Sequence, residues 1–412
     1  MGSRSSQLRW LMIAMAFLVT AITYVERQTL SVVVPVLIEQ FHMSNIAYSR
    51  VIFAFMLAYT VMNGVAGTLL DRLGTRVGLA LTTAWWSLAA MLQALSKGAW
   101  SLGICRFLLG MGEAGSWPGG VKVVAEWFPV HERALASGIF NSGAAFGTIV
   151  TPPLVVLVVL KWGWRAAFLA VGLIGTLWVV LWLFVYRSPQ QEASELRAPR
   201  LLPWTLIRQR FIWSFTAAKV FIDPVWYFYV FWFPEYLKRA RHLNLAFIGK
   251  FGWIPYLVAA CGNIIGGWLS GYLLRRGIAL TIARKATVTV FVLCMAAAIP
   301  AVLVRQVSVS IALVSLAMLG YTGVSANLLT FPADVYPKNT VASIWGIASM
   351  GSGFGGMIFT LITGWLIDRY SYVPVFIAFG SIPLIALFIV WFVLGPLRPV
   401  QAAPDRAVVH VS

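Results

Sequence analysis

The run RFLLGMGEAGSWPGG, residues 106–120, decides between two folds. Gly110, Gly112 and Gly115 carry the G-x-G-x-x-G spacing of a dinucleotide-binding turn. Such a turn needs a strand before it and a helix N-terminus aimed at a pyrophosphate. Here the triplet sits in the middle of a long apolar stretch that reads as one helix. The glycines therefore predict close packing against a neighbouring helix, not a cofactor loop. Arg106 and Glu113 then become charges inside an apolar helix, seven residues apart and on one face.

The rest of the chain agrees. Of 412 residues, 60% are hydrophobic and 11% charged, whereas a soluble domain is roughly half apolar and a quarter charged. Twelve stretches are long and apolar enough to cross a bilayer: 9–36, 47–70, 77–96, 100–124, 134–160, 164–186, 209–236, 246–274, 281–304, 307–331, 340–367 and 372–395. The fold class is all-α integral membrane, with twelve transmembrane helices. The first stretch follows Arg4 and Arg9 without a small-residue cleavage site after it, so it reads as a retained helix. Cys105, Cys261 and Cys294 form no CxxC pair and read as buried small apolar side chains.

The net charge of +18 has a topological explanation. With the N-terminus inside, most of the 31 Lys and Arg fall on the cytoplasmic side, as the positive-inside bias requires. Nucleic acid is excluded as a partner, since no fold is present to read it. The lipid bilayer is the expected surroundings, and a monomer the expected state.

The one long polar stretch, 187–208, separates residues 1–186 from 209–396 and reads as a cytoplasmic linker between two six-helix halves, with 397–412 as a cytoplasmic tail. At an offset of 208 the halves repeat: AEWFP (125–129) lies over ADVYP (333–337), and Phe146-Gly147 over Phe354-Gly355. A second echo sets GTLLDRLGTR (67–76) against GYLLRRG (271–277). Parallel repeats of six spans are a transporter architecture with the substrate near the midplane. Asp71, with Arg72 and Arg76 at the end of the second span, reads as a latch holding one arrangement of the halves.

Gly67-x-Leu-x-Asp71-Arg72-x-Gly74-x-Arg76 resembles the loop motif of the major facilitator superfamily. The run from Arg106 through AEWFP, followed by Glu132-Arg133, resembles the fourth-helix signature of its anion:cation symporter branch. With YVERQTLSVVVPVL (24–37) in the first span, the chain looks most like bacterial hexuronate and aldonate transporters, along essentially its whole length. The resemblance implies a multi-pass protein of the bacterial inner membrane with both termini cytoplasmic. It also implies a substrate-touching glutamine in the fifth span. Ala144 stands there instead, leaving Asn141 or Ser142 as substitutes.

A charge at bilayer depth costs roughly 2.5–3.5 kcal/mol or more, so each one calls for a role. Five stand out: Glu26, Arg27, Arg106, Glu113 and Asp223. Counting along the helices at 1.5 Å per residue puts Arg27 and Arg106 about 13 Å below the outer surface and Tyr59 about 16 Å. Three polar groups from three helices thus reach the depth of one small anion. Arg27 is the expected carboxylate ligand, because its guanidinium fork suits one. Arg106 is expected to pair first with Glu113 and to touch substrate second. Glu113 is the expected proton-coupling acid, with Glu26 and Asp223 as further candidates. Tyr24, Trp226, Tyr227, Asn141, Asn263, Asn327 and Ser349 complete the expected substrate-binding set. Aromatic faces with a few polar groups suit a polyhydroxylated ligand.

The expected function is proton-coupled symport of a small organic anion, foremost a sugar acid such as galacturonate or glucuronate, by alternating access. No cofactor is expected beyond the proton as coupling ion. Two alternatives remain open: another carboxylate or phosphate-type anion, with sodium as a possible coupling ion, and a non-transporting membrane receptor. An enzyme is not expected. The sequence pairs no serine with a histidine at membrane depth and clusters no histidines with cysteines.

Overall fold

The computed structural model describes residues 3–43, 45–187, 208–241, 243 and 251–399, and these contain helices and connections but no strand. The expected linker at 187–208 and tail at 397–412 therefore lie largely outside the described residues. Helix α1 is Ser3–Phe41. The helical stretch Asn45–Leu92 breaks at Gly74, giving α2 (45–73) and α3 (75–92). Helix α4 comes in two pieces, Ala99–Glu113 and Ser116–Trp127. Val130–Val185 breaks at Gly163 into α5 (130–162) and α6 (164–185). Helices α7 (Arg210–Arg239) and α8 (Ile254–Arg275) follow. Next come α9 (Leu280–Met295, then Ala298–Leu303) and α10 (Val307–Leu328, then Phe331–Val335). The last two are α11 (Val341–Arg369) and α12 (Tyr372–Phe388). The two breaks have one cause. Gly74 and Gly163 hold φ of 77° and 79°, a region costly for any residue with a Cβ.

The outer face is made for lipid. Leu160, Phe184 and Trp100 are 79%, 81% and 87% exposed, an arrangement that water would penalise and hydrocarbon does not. Cys261, expected to be buried, is on this exposed surface of α8. Inside, aromatic rings fill the interhelical space. Trp178 stacks on Trp182 at 5.1 Å in the first half, and Phe228 on Phe379 at 4.7 Å in the second.

The halves meet through glycines. Gly67 of α2 faces the Ala342 carbonyl of α11, and Gly346 of α11 faces the Asn63 carbonyl of α2. The same exchange recurs between α5 and α8, where Gly138 faces the Asn263 carbonyl and Gly267 the Ala134 carbonyl. A Cβ at any of the four would collide with backbone, so only glycine permits this approach. These contacts lie toward the end of the bundle where α1 begins, here termed the basal end.

Charged groups fasten the basal end further. Asp71 Oδ2 accepts from the Ser343 backbone N–H at 2.7 Å and its hydroxyl at 2.6 Å, at the start of α11. Lys122 Nζ stands 3.1 Å from Asp71 Oδ1. This corrects the expected latch. Arg72 is exposed, and Arg76 donates to the Leu183 carbonyl at 2.6 Å. Adjacent helix positions point about 100° apart, which turns Arg72 away, and the Gly74 break sets Arg76 on the next helix. A second fastening joins Arg133 of α5 to Asp334, 3.1 Å apart, with Arg284 of α9 2.9 Å from the other carboxylate oxygen. Asp334 occupies the repeat position of Glu126, whose carboxylate accepts from Thr75 and Tyr186 inside the first half.

Candidate anion-binding cavity between the halves

Above the fastened end lies a cavity of about 450 Å³, bounded by helices of both halves. It continues toward the opposite end, where Ser31, Tyr48 and Ile52 line it. Of the ten expected substrate-binding residues, Tyr24, Arg27, Tyr59, Arg106, Asn141, Trp226, Tyr227, Asn263 and Ser349 line this space. Asn327 does not. Its amide donates to the Gly266 and Gly323 carbonyls at 3.0 Å each, tying α8 to α10 inside the protein.

Arg27 and Arg106 share one aromatic platform. The Arg27 guanidinium carbon lies 4.5 Å from the Tyr59 ring centroid and 5.3 Å from those of Tyr24 and Phe55. The Arg106 guanidinium carbon lies 4.9 Å from the Phe55 ring centroid. Ring faces of this kind attract a guanidinium and hold its plane. Phe55 was missed in the sequence, although it precedes Tyr59 by one turn and stacks with it at 5.8 Å.

Arg106 does not pair with Glu113 as expected. Glu113 Oε2 is 2.6 Å from Arg27 Nε. Arg106 Nη1 instead holds both oxygens of Glu26, at 3.0 and 3.1 Å. Gln93 adds a third hydrogen bond to Glu26 at 2.7 Å. The reason is axial. Seven helical residues separate two side chains by about 10 Å, too far for direct pairing within α4. Arg106 and Glu113 each take their partner from α1. Glu26 and Glu113 are fully buried, and neither lines the cavity.

The Arg27 fork is only partly used. Its Nε serves Glu113, while among the described residues Nη2, itself buried, has no hydrogen-bond partner, and the buried Glu113 Oε1 has none either. The Arg27 side chain is 20% exposed at the cavity wall, and a planar cation placed there is suited to a second carboxylate. The floor of the cavity joins the halves: the Asn141 amide donates to the Asn263 side-chain oxygen at 2.5 Å and reaches the Ser325 hydroxyl at 3.5 Å. On the wall from α7, Asp223 lies 2.8 Å from Lys219 and accepts from Ser352. Lys219 is not among the charges singled out from the sequence, although its spacing of four from Asp223 is the signal of such a pair.

Residues 16–348 match the family model described as Major Facilitator Superfamily. The chain belongs to the major facilitator superfamily. It is a multi-pass membrane transporter, in a family of transporters and not of enzymes. Within the superfamily it is 31% identical to the hexuronate transporter of Escherichia coli, over 97% of this chain and 96% of that one. It is 34% identical to the galacturonate transporter of Dickeya chrysanthemi, over 70% and 89%. A probable galactarate/D-glucarate transporter of Escherichia coli is 28% identical, over 95% and 96%. Among solved structures, a proton:xylose symporter superposes with a TM-score of 0.76 at 14% identity, covering 96% of this chain and 97% of that one. A human organic anion transporter gives 0.72 at 13%, covering 93% and 99%. These two establish the shared major facilitator fold.

Proposed function

We propose that this protein is a proton-coupled symporter of the anion:cation branch that imports a sugar acid, foremost a hexuronate, by alternating access. The partly exposed Arg27 guanidinium at the cavity wall, held from behind by Glu113 through Nε, carries the reading. A substrate carboxylate takes the Arg27 N–H groups and competes with Glu113 for that cation. A buried carboxylate deprived of its cation holds a proton more readily than a charge. Proton and substrate thus enter together. Glu26, held by Arg106 and Gln93, fixes the orientation of the platform. The hexuronate and galacturonate transporters among the relatives support the choice of anion.

The basal end is taken as cytoplasmic, with both termini inside the bacterial inner membrane and 187–208 linking the halves there. The positive-inside bias supports that orientation. The arrangement described is then outward-facing: fastened inside, with the cavity reaching outward. Release follows rocking of the halves about the site and loss of the proton from Glu113.

Uptake of labelled galacturonate into vesicles, with and without an inward proton gradient, tests the reading. Accumulation is expected to follow the gradient, to vanish in Arg27→Ala, and to fall to downhill exchange in Glu113→Gln. Accumulation that persists in Glu113→Gln would remove that residue from coupling. An absence of uptake by folded protein would sink the hexuronate assignment.

A further inference from the structure

The two walls of the cavity present charge differently. On the first half, arginines face the cavity and their carboxylates are hidden behind them. On the second half, both members of a pair face it. Lys219 and Asp223 line the cavity, one helical turn apart, with side chains 6% and 17% exposed. Ser352 of α11 donates to the Asp223 carboxylate, and the Lys219 ammonium lies 4.1 Å from the Trp345 ring centroid. The pair is thus clamped from α11, with its net charge near zero.

A ligand reaching from one wall to the other meets two chemistries. Its carboxylate settles on the cationic first wall. Its far end meets an ammonium donor and a carboxylate acceptor side by side, which suits hydroxyl groups because each hydroxyl both donates and accepts. A second carboxylate at that end would face Asp223, and an opposed like charge is an effective device against a wrong ligand. Resting on the sugar-acid reading above, we propose that Lys219 and Asp223 form a specificity subsite. It reads the hydroxyl end of a polyhydroxylated monoacid and excludes the corresponding diacid. The relatives include transporters named for each kind of acid, so the distinction has a chemical object.

The test is ligand binding to the purified full chain in lipid nanodiscs, followed by tryptophan fluorescence, with galacturonate and galactarate as probes. Wild-type protein is expected to bind galacturonate at least about tenfold more tightly than galactarate. Asp223→Asn leaves Lys219 uncompensated and should shift that ratio toward galactarate by about tenfold. Lys219→Met with Asp223→Asn restores neutrality and should weaken galacturonate without the gain in galactarate, an outcome that mere loss of packing would not separate. Equal wild-type affinities would overturn the proposal, as would an unchanged ratio in folded Asp223→Asn. Should that variant fail to fold, the wild-type ratio alone decides. Binding of both acids alike defeats only this subsite, whereas binding of neither defeats the sugar-acid reading and the subsite with it.

Discussion

Arg106 and Glu113 lie on one face of α4, yet each is paired to a neighbouring residue of α1: Arg106 to Glu26 and Glu113 to Arg27. Two adjacent α1 residues of opposite sign thus bind two α4 residues of opposite sign. The two helices are locked in rotation as well as in height, since a turn of α1 about its axis would separate both pairs. The consequence is a fixed pair of guanidinium groups against Tyr59 and Phe55.

The Arg106–Glu26 pair should behave as a buried unit. Glu26→Ala strands Arg106 without a carboxylate, which costs about 3–5 kcal/mol when a buried pair is broken. Glu26→Leu with Arg106→Met removes both charges and should recover most of that loss. Unfolding titrated with sodium dodecyl sulfate in mixed micelles measures the difference. A double variant as unstable as the single would place the loss elsewhere.

Asp71 and Arg72 are neighbours in the loop motif but should differ sharply on substitution. Asp71→Asn weakens the bonds to Ser343 and leaves Lys122 without its carboxylate. We expect uptake to fall at least about tenfold, the scale of one lost charge-assisted bond of roughly 1.5–3 kcal/mol. Arg72→Ala, at an exposed position, should retain most of the uptake. Equal losses would restore the latch drawn from the motif alone.

Gly67→Leu should prop the basal end apart. Spin labels at Arg72→Cys and Arg276→Cys, both exposed and on opposite halves, report the separation by double electron–electron resonance. The distance distribution should move to longer values than with Gly67 in place. An unchanged distribution would mean that the α2–α11 seam does not set the closure.

Asn327→Ala should harm stability and leave recognition intact. The Gly266 and Gly323 carbonyls lose a buried donor, at a cost of about 1–3 kcal/mol. The KM for the surviving folded protein should match the wild type. Asn141→Ala, at the cavity floor, should raise KM instead. Uptake kinetics normalised to folded protein separate the two.

The sequence carried the helices and the charges well, because both rest on cost. Twelve apolar stretches have no other stable solvent, and Arg27, Arg106, Glu26 and Glu113 stand out against surroundings that penalise them. The glycines of 110–115 were legible for the same reason: Gly110 packs on the Phe55 carbonyl and Gly115 on Thr82. Partnership was not legible. A helical stripe gives the direction of a side chain from its own axis but not the height or rotation of the next helix. Arg106 could therefore be assigned to Glu113 when Glu26 was nearer. Asn327 shows the converse error. A lone amide in an apolar span looks like a ligand contact, and only the carbonyls beside it reveal that its donors are already engaged.

The seam at Gly67, Gly346, Gly138 and Gly267 imposes a mechanical limit on the closed end. Side chains meeting side chains yield by changing rotamers, so such an interface closes gradually over a range of separations. Backbone meeting backbone has no rotamers to change. Approach of α2 to α11, and of α5 to α8, ends abruptly where Cα meets carbonyl oxygen. Separation by a small distance forfeits those contacts together. A seam of this kind behaves as a detent with a defined shut position, which disfavours half-open states through which ions could leak.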